Sequence, residues 1–182
     1  MNNTLNAIHI LLEKDYCITL EDGRIIEFFF KPGYFFHLLG LHYLTDIPNI
    51  SNAKNKAGIV KRMLKDQSTA KQIQQSSHFY KIQERVNTFY KVSEMLLSDK
   101  CEIIVDFDKT LLPSCKLLSD FLLYKTEDYN TYYILGLSPD GNGLYYPETY
   151  IVEHSKYYIS KQKLLSCEIK HTEHTKNKGK VI

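Results

Sequence analysis

Apolar residues at helical spacing open the chain: Leu5, Ile8 and Leu12, joined by His9 on the same face, predict a helix with one inward side. The period then shortens to two. Cys17-Ile18-Thr19-Leu20 and Ile25-Ile26-Glu27-Phe28-Phe29-Phe30 flank the turn Glu21-Asp22-Gly23-Arg24, which reads as a β-hairpin. Lys31-Pro32-Gly33 breaks the second strand. Tyr34 to Leu44 then reads as a short helix, apolar except for His37 and His42 and buried on most sides. After a loop carrying Pro48, Asn49 and Ser51, Ala53 to Asp66 is a basic amphipathic stretch. Ile59, Val60, Met63 and Leu64 point inward, and Lys54, Lys56, Lys61, Arg62 and Lys65 point outward. Ser68-Thr69 is placed to cap the next turn. From His78 to Leu97, the set Phe79, Ile82, Val86, Phe89, Val92 and Leu96 repeats at three or four residues and predicts the longest helix.

The second half changes period. Residues 101–107, Leu117 to Tyr124, Thr131 to Leu137 and Tyr145 to Val152 are short β-prone runs separated by turn residues, notably Ser138-Pro139-Asp140-Gly141-Asn142-Gly143. Ser155 to Lys163 reads as a helical turn, and Leu164 to His171 as a last strand. The connections are too brief for parallel crossovers, so an antiparallel arrangement follows. The expected architecture is α+β, with N-terminal helices and a hairpin followed by a mainly antiparallel sheet. Residues 1–171 form one domain in this reading, and 172–182, with little to bury, form a flexible tail.

Composition narrows the class. A chain of 182 residues, 43% hydrophobic and 24% charged, is sized for one soluble domain with a real core. Lys and Arg (23) against Asp and Glu (21) give a formal charge of only +2, so any nucleic-acid binding must come from a local patch. No apolar run approaches the roughly 20 residues of a membrane span. Met1-Asn2-Asn3-Thr4 lacks the basic start of a secretory signal, and a cytoplasmic location is the expectation. Cys17, Cys101, Cys115 and Cys167 have neither Cys-x-x-Cys spacing nor a His at ligand distance, and read as reduced, mostly buried thiols. With no Trp but 14 Tyr, the large apolar anchors mostly carry a hydroxyl that wants a partner.

Four constellations bear on chemistry. Ile103-Ile104-Val105-Asp106-Phe107-Asp108-Lys109-Thr110-Leu111 resembles the first motif of haloacid dehalogenase-like phosphatases, where paired carboxylates hold magnesium and one is the nucleophile. Antiparallel strands downstream do not supply that fold's parallel sheet, so two solvated Asp at a strand end is the preferred reading. His37 and His42 are five residues apart, not the four that pair histidines for zinc. On a continuous helix that step turns His42 about 140° from His37, so only one of them should face a substrate. His78, Lys81 and Arg85 fall on one helical side and could hold a phosphate, although such a stripe is commonly a solvated face. Finally, Pro147 in Tyr145-Tyr146-Pro147-Glu148-Thr149-Tyr150 marks a sheet edge. Glu148, Thr149 and Tyr150 would be exposed there, with Gln162 following, and tyrosine rings there could stack on unpaired bases.

The order of these motifs is more telling than any one of them. Phe36-His37-Leu38-Leu39-Gly40-Leu41-His42-Tyr43-Leu44, then Phe79-Tyr80-Lys81-Ile82 with Arg85-Val86, an Asp-bearing strand, Tyr146-Pro147-Glu148-Thr149-Tyr150, and Tyr158-Ile159 with Gln162 resemble a phage-associated nuclease family. That family belongs to the barnase, EndoU, colicin and RelE-like superfamily of ribonucleases. The resemblance implies helices leading into an antiparallel sheet that holds RNA, and no metal or other cofactor. Metal-free cleavage uses the neighbouring 2′-hydroxyl as nucleophile and needs a base, an acid and a cation. The resemblance puts His37, His42, Arg85 and Thr149 in the catalytic group, and Lys81, Lys109, Tyr150 and Gln162 in substrate binding. RNA, tRNA included, is the implied substrate, with an antitoxin or inhibitor partner left open. A non-catalytic RNA- or protein-binding module on the same fold is the alternative.

Overall fold

The computed structural model describes residues 1–98, 102–112, 114–127 and 130–174, and its frame is a closed barrel of seven strands. The expected hairpin forms from β1 (Lys14–Leu20) and β2 (Ile25–Phe29), and Gly23 takes the positive φ of +87° that its turn demands. The second half supplies β3 (Glu102–Asp106), β4 (Phe121–Thr126), β5 (Tyr132–Pro139), β6 (Tyr145–Glu153) and β7 (Lys163–Glu173). Around the barrel the order is β1-β2-β6-β5-β4-β3-β7.

This corrects the expectation of a mainly antiparallel sheet confined to the second half. An open sheet would leave one edge of the long β7 unpaired. Instead β1 lies along it, from Lys14 opposite Glu173 to Leu20 opposite Cys167, while β3 takes residues 163–167. The last seam, β2 against β6, is parallel and rests on Phe28 opposite Tyr145. β7 thus reaches two residues into the stretch read as a tail, and residues 175–182 of that stretch lie outside the described residues, as does Cys101. The run at Leu117 becomes strand only from Phe121. Before that, Leu112, Cys115 and Leu117 cover a small second core of Val105, Phe107, Leu122, Tyr132, Ile134 and Ile159. These alternate with Ile104, Leu123 and Leu135 of the main core, so β5 is buried on both faces. Residues 155–162 form turns, with Lys161 at φ +65°, and no helix. Among the described cysteines, Cys17 and Cys115 are half-buried, Cys167 is buried, and none is in a disulfide. No helix among the described residues is long and apolar enough to cross a membrane.

Helices pack over the main core. α1 (Asn2–Leu12) turns Thr4, Ala7, Ile8 and Leu11 inward, one position round from the expected face, with the Thr4 hydroxyl donating to the Val86 carbonyl. α2 (Pro32–Leu38) begins on a proline at its first turn, where the missing N–H costs nothing. α3 (Pro48–Ser51), α4 (Lys56–Lys65) and α5 (Gln67–Gln74) follow. Asp66, not Ser68, caps α5, accepting from the Ser68 N–H at 2.8 Å.

Two helix expectations fail for identifiable reasons. Tyr34 to Leu44 is not continuous: Gly40, at φ +74°, ends the turn after α2, and a 3-10 turn over Leu41–Tyr43 restarts the chain in a new direction. His78 to Leu97 divides into a 3-10 turn (Phe79–Lys81), α6 (Gln83–Thr88) and α7 (Tyr90–Leu96). The break between α6 and α7 is made by Tyr150 of β6, whose hydroxyl reaches the Thr88 carbonyl and Oγ1, each at 3.0 Å. That carbonyl would otherwise serve the Val92 N–H, which bonds Phe89 instead.

A cationic cleft as candidate active site

Between α2, the 3-10 turn at Leu41–Tyr43, α6 and β6 lies an open cleft of about 580 Å³. His37, His42, Arg85 and Thr149 all line it. Residues spaced over more than a hundred positions are brought to one wall by three local features.

The first is the Gly40 reversal. Because the helix stops there, His42 is not carried round to the far side, and the two imidazole centroids stand 5.5 Å apart. The expectation that only one histidine faces the cleft is therefore corrected. Gly40 also lets the layers approach: a Cβ there would lie 3.0 Å from Ile82 Cγ2 and 3.5 Å from Arg85 Nη1. The second feature is the short α6, which aims Arg85 at the cleft, while His78 at the chain's entry bonds Thr45 Oγ1 at 2.8 Å. The third is a bulge in β6. Gly136 faces Thr149 and Leu137 faces Pro147, so Glu148 is the extra residue, beside a proline with no N–H to pair. A Cβ on Gly136 would overlap Ser119 Oγ and come within 2.8 Å of Thr149 Cγ2, so only glycine lets Thr149 settle here.

Positive groups collect here with no ion pair to any of them among the described residues. Arg85 is half-buried, its pKa is lowered by that burial, and it is in no ion pair among the described residues. His37 accepts from Lys56 Nζ at 2.8 Å, and its pKa is lowered by burial and then by Lys56. The pKa of His42 is lowered by burial and then by His37, Arg85 and Lys56, and its Nδ1 is buried with no hydrogen-bond partner. One carboxylate lines the cleft, Glu148, and it is occupied: Ser119 Oγ donates at 2.5 Å, Ser138 Oγ at 2.7 Å and the Leu118 N–H at 3.3 Å. Tyr34 and Tyr146, rings 5.8 Å apart, complete a wall with Tyr43 and Tyr158.

The other expected site residues lie elsewhere. Tyr150 is fully buried and anchors the α6–α7 break, which corrects its reading as exposed. Gln162 is buried and bonds the Asp108 backbone, accepting from its N–H at 2.8 Å and donating to its carbonyl at 3.1 Å. Lys109 is exposed on a 3-10 turn outside the cleft, and Lys81 is exposed beside Tyr80, off the line of Arg85. The carboxylates of the phosphatase-like motif are also committed, Asp106 to Arg24 at 2.6 Å and Asp108 to the N–H and hydroxyl of Thr110. Lys56, Glu148, Tyr34 and Tyr146 were not singled out as site residues by sequence; Pro147 within a strand was the one local sign of the bulge.

Fold and cleft together define an α+β protein with a tyrosine-walled cleft lined by Arg85, His37 and His42. The chain belongs to the PBECR4 family, described as phage-Barnase-EndoU-ColicinE5/D-RelE like nuclease4, whose model matches residues 2–182. Neither a search of curated proteins nor one of solved structures returned a match. Membership supports a nuclease role and a nucleic-acid substrate.

Proposed function

We propose that the protein is a metal-independent RNA endonuclease that cleaves by attack of the neighbouring 2′-hydroxyl. The observation that carries this reading is the meeting of His37, His42, Arg85 and Thr149 in one cleft whose one carboxylate among the described residues is already hydrogen-bonded. A 2′-hydroxyl attack needs a proton acceptor, a proton donor and a cation where charge grows on phosphorus. The two imidazoles divide the proton transfers, Arg85 meets the charge, and the Thr149 hydroxyl donates to a phosphate oxygen. Incubating the purified protein with total tRNA in EDTA tests this. Discrete fragments ending in 2′,3′-cyclic phosphate are expected. Activity that vanishes in the chelator would overturn the mechanism, and retention of RNA without cleavage would favour the binding-module alternative.

Lys54, Lys61, Arg62 and Lys65, on or just before α4, the helix that begins with Lys56 against His37, are exposed and in no ion pair among the described residues. They are placed to track an RNA backbone. Affinity for single-stranded RNA should then fall with salt at a log–log slope of about −0.7 per phosphate contact. Replacing Lys61 and Arg62 together by Gln should make that slope shallower by about 1.4. A slope unchanged by the double replacement would remove α4 from the interface.

A further inference from the structure

Lys56 opens α4 and places Nζ 2.8 Å from His37 Nε2. An ammonium can only donate, so Nε2 is the acceptor and the ring proton sits on Nδ1. The pairing is unusual for its company. Facing His37 are Lys56 from α4, His42 from the 3-10 turn and Arg85 from α6. From β6 comes Glu148, whose oxygens are turned to Ser119, Ser138 and the Leu118 N–H, and Tyr34 and Tyr146 add only neutral hydroxyls. Among the described residues Lys56 is in no ion pair, and its ammonium lies 5.7 Å from the Phe36 ring centroid. Lys56, Arg85 and two imidazoles therefore meet at this cleft. Among the described residues its one lining carboxylate, Glu148, is turned to neutral donors and pairs with none of them, so an entering anion relieves an excess of positive charge.

We propose that Lys56 belongs to the phosphate site: at rest its ammonium holds His37 Nε2 as an unprotonated acceptor, and when a phosphodiester enters it passes to a non-bridging oxygen, freeing that nitrogen to take the 2′-hydroxyl proton. The inference rests on the nuclease reading above and deepens it by making His37 the base. In the step so assigned, the 2′-oxygen gives its proton to His37 Nε2 and bonds to phosphorus. The bond from phosphorus to the 5′-oxygen breaks, and the departing oxygen takes a proton from His42. Entry of the phosphate's negative charge offsets the cations that disfavour a protonated His42, so the acid is loaded by the substrate itself.

An NMR titration of the full chain tests the assignment, following the His37 imidazole with and without a 2′-O-methylated tetraribonucleotide, which carries phosphodiesters but no nucleophile. Binding of this probe should raise the His37 midpoint. Lys56→Met should raise the midpoint of the free protein and weaken probe binding roughly tenfold, the scale of one charged hydrogen bond. Lys56→Arg, which keeps the cation, should restore both. A probe that fails to bind, or binds without moving His37, overturns the proposal even if Lys56→Met proves unstable. So does a folded Lys56→Met protein with unchanged midpoint and affinity. None of these readouts needs turnover, so a wild-type protein that cleaves no RNA would sink the nuclease reading separately.

Discussion

Arg85→Met is expected to cost RNA cleavage about 100- to 1,000-fold, the scale for removing one group that meets transition-state charge, while raising the melting temperature. The two effects share a cause. Elsewhere in the chain a cation drawn out of water is answered, since the buried Lys91 sits between Glu94 and Glu127, and even the exposed Arg24 bonds Asp22 at 2.7 Å and Asp106 at 2.6 Å. Arg85 is half-buried and has no such answer: burial lowers its pKa, with only tyrosines opposing. A charge held this way destabilises the fold, and an apolar chain of similar length removes the penalty. A gain of about 1 kcal/mol would appear as roughly 2–4 °C in a domain of this size. Paired measurements of melting and of cleavage rate decide the matter. A variant that melts lower and cleaves normally would show Arg85 to be a packing residue.

What the sequence exposed and what it hid divide along physical lines. The hairpin was legible because alternation and the Gly23 turn are local, and β6 was legible because its ends are marked by turn residues. His37, His42, Arg85 and Thr149 were found through residue type and motif order, but the reason they meet is not local. Whether a helix continues past Gly40 depends on a backbone angle that glycine permits and other residues resist, so helical geometry gave the wrong side for His42. The break after Thr88 is set by a tyrosine hydroxyl 62 residues away, invisible to any reading of helical period. Tyr150 was misjudged for the same reason: the bulge at Glu148 shifts the alternation by one and sends the ring inward instead of out. Barrel closure likewise depends on β1 meeting β7 across the whole chain, a pairing that neither strand announces by itself.

His37→Gln and His42→Gln should each slow cleavage about 100-fold or more, because both rings line the cleft and acid and base are both required. Glutamine keeps a donor and an acceptor, so melting at pH 7.5 should stay near the wild-type value. pH adds an independent check. Both histidines titrate below the ordinary imidazole value, burial being the larger cause for each. The folded protein therefore binds protons less readily than the unfolded chain, and stability present above about pH 6.5 is lost as pH falls toward the lowered folded values. Each glutamine variant removes one such group and should lose less stability than wild type between pH 6.5 and 5. The same lowering leaves the base unprotonated at pH 7 and sets the acid limb of kcat/KM, which reports the free protein, below pH 6.5. A rate loss confined to one histidine would leave the other as a structural ring beside the cleft. An acid limb above pH 6.5 would mean that neither lowered imidazole is the base.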